Sequence, residues 1–291
     1  MAEKIPVILD CDNTMGIPGC DVDDALALLY LLGSPEARLL GIACSYGNST
    51  QEAVHRNTRR LLAVWGREDI PVYRGSGGPG QLSSPAAGFL AAAAREHSGE
   101  LRLLTTGSTT NLRGAMALDP SFWDHIQAVS FMGGITAPLF VGGKPMAELN
   151  FSIDWRSSLE VLRGGRNIRI ATAQNCLASF FPHSSLAALA ESGSPAGAYL
   201  ARALADWYAY SREHWNLDGI VNWDVMAAAQ LLHPELFDLG DTVITPTEAS
   251  LAQGMLLGGG PDIPVQLPVI RDPDQYRRRV CEAYCAADIH V

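Results

Sequence analysis

Along the first half of the chain, short apolar runs alternate with longer helix-like segments. Lys4–Leu9, Leu39–Cys44, Ile70–Tyr73, Leu101–Thr105, Ala128–Met132 and Ile168–Thr172 have the length and aliphatic content of buried strands. Between them, Asp24–Leu32, Gln51–Trp65, Phe89–Glu96, Asn111–Ala117 and Asp154–Arg163 read as helices. This alternation predicts an α/β fold: a Rossmann-like, mostly parallel central sheet flanked by helices. The C-terminal half is more helical, with helices expected at Leu186–Glu191, Ala196–His214, Asp224–Leu232 and Pro273–Ala286. Strand-like pieces remain at Thr242–Thr245 and Pro264–Ile270, and Gly254–Pro261 reads as a surface loop. No repeat or low-complexity linker divides the chain, so one domain over residues 1–291 is expected.

Composition narrows the function classes. The 31 acidic against 21 basic residues give a formal charge of −10, which argues against nucleic acid or an anionic membrane as partner. The longest apolar stretches, such as Ala25–Leu32, are far shorter than a bilayer span. No signal-peptide pattern precedes the first strand, and the expected location is cytoplasmic. The six cysteines form no Cys-x-x-Cys pair and fit reduced thiols.

The candidate chemistry gathers where strands end, which is where ligands bind in such sheets. Asp10, Asp12, Asp21, Asp23 and Asp24 place five carboxylates within fifteen residues. Helix capping accounts for one of them, not for five on either side of a loop. Carboxylates this dense repel one another unless a cation or strong donors compensate, and hard oxygen ligands suit Ca²⁺ or Mg²⁺. The spacing is not that of an EF-hand, since Met15 stands where its glycine belongs.

Two families share parts of this segment. Asp10-Cys11-Asp12-Asn13-Thr14 after an apolar strand resembles the signature of haloacid-dehalogenase phosphatases, which would make Asp10 a nucleophile beside Mg²⁺. No lysine stands in a phosphate-stabilising position, and Gly240-Asp241 lacks the second acid of that family. Asp10-Cys11-Asp12 followed by Asp23-Asp24-Ala25 also resembles the DxD…DDA signature of the calcium-dependent nucleoside N-ribohydrolases. Tyr46-Gly47-Asn48, Thr106-Gly107-Ser108-Thr109-Thr110-Asn111, Phe131-Met132-Gly133-Gly134, Ala147-Glu148-Leu149-Asn150 and Trp223-Asp224 follow in that family's order. The chain departs from the pattern in three places. Ten residues separate Asp12 from Asp23 where the family usually has three, Gly142-Gly143 replaces a Gly-Asn pair, and the His-Gly loop after Gly75 is absent or very short.

The resemblance implies hydrolysis of the N-glycosidic bond of nucleosides. It implies Ca²⁺ held by Asp12, Asp24, Asp224 and the carbonyl of Thr106, with Asp12 also the general base and Asp10 orienting groups behind the ligands. Asp23, Asn48, Glu148 and Asn150 would hydrogen-bond the ribose. Trp223 would stack on the base, suggesting purine preference, and His214, on an aromatic-rich segment, is a candidate for the leaving base. The partner is a small nucleoside, and the family implies a homodimer or homotetramer. A Mg²⁺ phosphohydrolase using Asp10 and a silent ribose- or nucleoside-binding protein remain the alternatives.

Overall fold

The structure, a computed structural model, describes residues 3–291. Eight strands form the main sheet: β1 (Ile5–Cys11), β2 (Ala37–Cys44), β3 (Val72–Arg74), β4 (Leu101–Thr105), β5 (Ile126–Met132), β6 (Ile168–Ala171), β7 (Asp241–Ile244) and β8 (Ile263–Gln266). Their spatial order is β7-β8-β6-β5-β4-β1-β2-β3, and all pairs are parallel except β7 with β8. The expected α/β architecture is therefore present. Strand β1 shows why its sequence is apolar throughout: Val7, Leu9 and Cys11 enter the core on one face of the sheet and Ile8 the core on the other.

The helices that matter for the site are α1 (Asp23–Leu32), α2 (Gln51–Val64), α3 (Pro85–Glu96), α4 (Thr110–Leu118), α5 (Trp155–Gly164), α6 (Ala205–Trp215), α7 (Trp223–Leu232) and α8 (Pro273–Ala286). One core holds Leu26, Tyr30, Met226 and Tyr276 from α1, α7 and α8. The other holds Leu90, Leu112, Phe131 and Leu159 from α3, α4, β5 and α5. The chain leaves β1 on one side toward β2 and returns on the other as β4, so the order reverses between β1 and β4. A crevice forms at such a switch point, beyond the carboxyl ends of the strands.

Several local expectations are corrected. The helix expected over Ala196–His214 is two, Pro195–Ala203 and α6, divided at buried Leu204. The strand expected over Pro264–Ile270 is broken after Gln266, where Pro268 offers no backbone N–H to a ladder. A hairpin, Leu139–Val141 with Lys144–Met146, is absent from the sequence reading because three-residue strands carry too little alternation. Its turn uses Gly142 (φ 55°) and Gly143 (φ 80°), and a Cβ on Gly142 would lie 1.4 Å from the Trp215 carbonyl oxygen. The glycines thus let the hairpin press against the end of α6, where Lys144 also donates to the His214 carbonyl. No helix among the described residues is long and apolar enough to cross a membrane.

Two glycines test this packing with opposite signs. A Cβ on Gly33, at the end of α1, would sit 1.7 Å from the backbone oxygen of Ala283 in α8, so Gly33→Ala should destabilise by about 1–3 kcal/mol or more. Gly88 lies exposed inside α3 with no neighbour within 4 Å, so Gly88→Ala should stabilise by about 0.5–1 kcal/mol. Urea midpoints of the two variants check both signs.

Candidate active site

The carboxylates meet at the switch point. Asp12 follows β1, Asp23 and Asp24 open α1, and Asp224 lies in the first turn of α7. Oxygens of Asp23, Asp24 and Asp224 lie within 4.8 Å of one another, and all three side chains are buried. Asp24 Oδ1 accepts from Thr106 Oγ1 at 2.7 Å and from the Asp12 backbone N–H at 3.3 Å, so it ties the ends of β1 and β4 together. Asp12 is wholly buried, and its two oxygens accept from the backbone N–H and side-chain amide of Asn48. Asp10 lies behind it: Oδ1 accepts from Asn111 Nδ2 at 3.1 Å, while Oδ2 is buried without a partner.

Electrostatics make this cluster costly as it stands. Burial first, then the mutual charges, push Asp23, Asp24 and Asp224 well above the usual carboxylate range. Burial also raises Asp12, against the opposing hydrogen bonds from Asn48, and pushes Asp10 up to about 8. Among the described residues no Lys or Arg forms an ion pair with Asp12, Asp23, Asp24 or Asp224. Buried anions need a counter-charge or neutralisation. The donor set, carboxylate oxygens with a threonine hydroxyl among them, fits a hard divalent cation and not a soft one.

A cavity of about 190 Å³ opens above the cluster, lined by Asp23, Asp224, Thr106, Asn48, Asn150 and Trp223 among others. It adjoins a second cavity of about 240 Å³, walled by Trp207, Tyr210, Trp215 and Trp223. Asp21, Asn48, Met146 and Trp223 border both. The long loop before α1 thus delivers Asp21 to the junction. Burial raises Asp21 to about 6, with a smaller push from the Asp12 charge, although hydrogen bonds from the Val22 N–H at 2.7 Å and with Asp23 oppose it.

Other expected residues are placed differently from one another. Glu148 borders the first cavity, but its carboxylate accepts three backbone N–H groups, from Gly134, Phe151 and Ser152, at 2.8–3.0 Å. It therefore holds the Gly133-Gly134 turn in place. Asn150 donates to the Met132 carbonyl at 3.0 Å. His214 borders neither cavity: it is exposed on the last turn of α6, its ring stacked on Tyr210 at 3.8 Å. The rings of the second cavity come instead from other positions of that helix, Trp207 and Tyr210, and from Trp215. In the sequence these rings appear only as an aromatic-rich run over 207–215, whose spacing does not separate them from His214. Asn111 stands in the sequence only as part of a turn, yet it binds Asp10, the Ser76 N–H and the Ser84 hydroxyl, joining three segments under the site.

Comparison with known proteins defines the class. A sequence profile described as inosine-uridine preferring nucleoside hydrolase matches residues 7–282. The chain belongs to this family of enzymes, glycosidases acting on N-glycosyl bonds. Among its relatives, a pyrimidine-specific ribonucleoside hydrolase RihA of Klebsiella pneumoniae subsp. pneumoniae is 28% identical, covering 92% of this chain and 95% of the relative. The protein of the same name from Salmonella paratyphi B is 27% identical over 92% and 94%. In structure the chain resembles the plant nucleoside hydrolase PpNRh1, with a TM-score of 0.82, 24% identity and coverage of 97% and 99%. It also resembles a purine-preferring ribonucleoside hydrolase from Gardnerella vaginalis, with a TM-score of 0.81, 22% identity and coverage of 97% and 99%. The phosphohydrolase alternative falls with the family match, and Asp10, 1% exposed and covered by Asn111, is no accessible nucleophile.

Gly47 tests the dependence of the site on close backbone approach. A Cβ there would lie 2.0 Å from Asp12 Oδ2. Gly47→Ala should displace the Asp12 carboxylate and lower kcat/KM for nucleosides by about 100-fold or more. Its urea midpoint should fall far less than that of Gly33→Ala.

Proposed function

We propose that this protein hydrolyses ribonucleosides, purine nucleosides foremost, to free base and ribose, with Ca²⁺ held by Asp12, Asp24, Asp224 and the Thr106 carbonyl. The observation that carries this reading is the buried cluster of uncompensated carboxylates beneath one cavity, continuous with an aromatic-walled second one. When bound, the cation would acidify water and anchor ribose hydroxyls. The ribose occupies the first cavity, where Asp23, Asn48 and Asn150 offer acceptors and donors fixed in direction. Glu148 acts there chiefly by fixing the Gly133-Gly134 turn. Asp12 takes the proton of the attacking water: Asn48 fills two of the roughly four acceptor positions of its carboxylate and leaves the others. The surrounding carboxylates favour the positive charge that builds on the sugar as the glycosidic bond breaks. Asp10, held by Asn111, keeps the end of β1 in register behind Asp12. His214 has no role in this scheme. The same resemblance implies assembly as a homodimer or homotetramer, which sedimentation measures.

Incubation with inosine, uridine and p-nitrophenyl phosphate, with and without chelator, tests the reading. Free base in calcium buffer, lost on chelation, is the expected result. Release of p-nitrophenol alone, or of no product, would return the protein to one of the other classes. Asp12→Asn should lower kcat by about 10³-fold or more, because it removes a ligand charge and the base together. Asp21→Asn should cost far less, and an equal loss would make the long loop part of the catalytic machinery.

The purine preference rests on the rings of the second cavity, since a purine offers roughly twice the face of a pyrimidine to stack on. The relatives' names divide between pyrimidine-specific and purine-preferring, so the base is decided by experiment. Trp223→Phe should lower kcat/KM for inosine more than for uridine. Trp223→Ala should cost inosine about 10–100-fold. Equal losses for both substrates would make Trp223 a packing residue.

A further inference from the structure

The opposite edge of the sheet carries a second polar constellation. Arg102 and Arg169 are the second residues of β4 and β6, at the amino ends of the strands and so remote from the carboxylates. In register, Arg102 lies beside Ala128, and Arg169 beside Ser130 and Gln266, which puts these side chains on one face of the sheet. They border a trough of about 580 Å³ that also includes Gln127, Asn167, Gln266 and Asp241.

The two guanidiniums are held alike. Arg102 donates from Nε to the Gln127 side-chain oxygen at 2.6 Å and from Nη1 to the Leu231 carbonyl at 2.7 Å. Arg169 donates from Nε to the Gln266 side-chain oxygen at 3.0 Å and from Nη1 to the Gln230 carbonyl at 2.7 Å. Capping the last carbonyls of α7 explains one N–H of each. It leaves each Nη2 group without a partner among the described residues, on a side chain already fixed at two points. In a chain with ten more acids than bases, no carboxylate charge acts on either arginine. Burial lowers both, and the charge of Arg102 lowers Arg169 further. Two like charges held close and half-buried without an anion are a site awaiting one. Two guanidinium charges outweigh the roughly half charge of the α7 terminus.

The trough is larger than a lone oxyanion requires and falls within the usual range for small-molecule sites. A carboxylate would neutralise one guanidinium, whereas a phosphate monoester carries about −1.5 to −2 charges and three acceptor oxygens. Beyond Gln266, which accepts from Arg169, Asp241 accepts from Gln266 Nε2 at 2.8 Å and retains acceptor capacity suited to hydroxyls. We propose that this trough binds a small phosphorylated sugar, with its phosphate across Arg102 and Arg169 and its hydroxyls toward Asp241 and Asn167.

Calorimetry on the whole protein, with ribose 5-phosphate, inorganic phosphate and ribose as probes, tests the proposal. Ribose 5-phosphate should bind more tightly than inorganic phosphate. Arg102→Gln and Arg169→Gln should each weaken it roughly 10–100-fold, as loss of a charge-assisted hydrogen bond does, while Asp12→Asn, in the carboxylate cluster at the opposite ends of the strands, should leave it unchanged. Asp241→Ala, at an exposed position, should narrow the gap between ribose 5-phosphate and inorganic phosphate, and it serves if the arginine variants fail to fold. Equal affinity for both phosphates would reduce the trough to a general oxyanion site and overturn the proposal. So would affinity indifferent to the arginines, or no binding together with dissociation of an oligomer in the arginine variants, which would make the trough an interface.

Discussion

The repulsion among buried carboxylates at the switch point is the constraint around which this fold is arranged. Two unit charges about 4 Å apart repel by about 4 kcal/mol even at an effective dielectric near 20, and Asp23, Asp24 and Asp224 are held within 4.8 Å. Two helices begin here, with Asp23 and Asp24 in the first turn of α1 and Asp224 in the first turn of α7. Each helix start supplies about half a positive charge, together roughly one charge against several. Donors from Asn48, Thr106 and Asn111 reduce the deficit without closing it. What is left matches a divalent cation in sign and in ligand hardness.

That arrangement follows from ordinary packing. α1 and α7 lie side by side on one face of the sheet, and their apolar sides share a core with β1. Asp24 then reaches the β1–β4 junction because α1 starts directly above it. Gly47 and Gly75 let the backbone come close: a Cβ on Gly75 would meet the Cys44 carbonyl oxygen at 1.8 Å. Core packing therefore places the strand ends and helix starts, and single glycines set the last close approaches within the site.

This half of the molecule is legible in the amino-acid sequence. Fully buried parallel strands read as continuous apolar runs, and each ends in polar residues that have no place in a core, so Asp10, Asp12, Asn48, Thr106 and Gly133 mark the crevice by their positions in the chain alone. Irregular parts are less legible. The hairpin around Gly142-Gly143 has strands too short for a period, and the break at Leu204 leaves an unbroken apolar pattern on both sides. His214 is drawn in by its aromatic neighbours: Trp207, Tyr210 and His214 stack along one face of α6, but His214 lies on the last turn, outside the cavity. Sequence spacing alone does not say how far along the helix the cavity extends.

This division coincides with a division of chemical labour. Every nucleoside presents the same ribose and the same bond, so the groups that meet them can sit on rigid strand ends and helix starts, where each side chain is fixed by backbone register. Nucleosides differ in the base, and the second cavity, the base compartment proposed above, is walled largely by α6, the hairpin and the loop bearing Asp21. These elements lie outside the eight-stranded sheet and pack on one another, through contacts such as Gly142 with Trp215. Relatives whose names divide between pyrimidine and purine substrates share one fold, and the base compartment proposed for this chain falls in the part of its sequence with the weakest periodic signal.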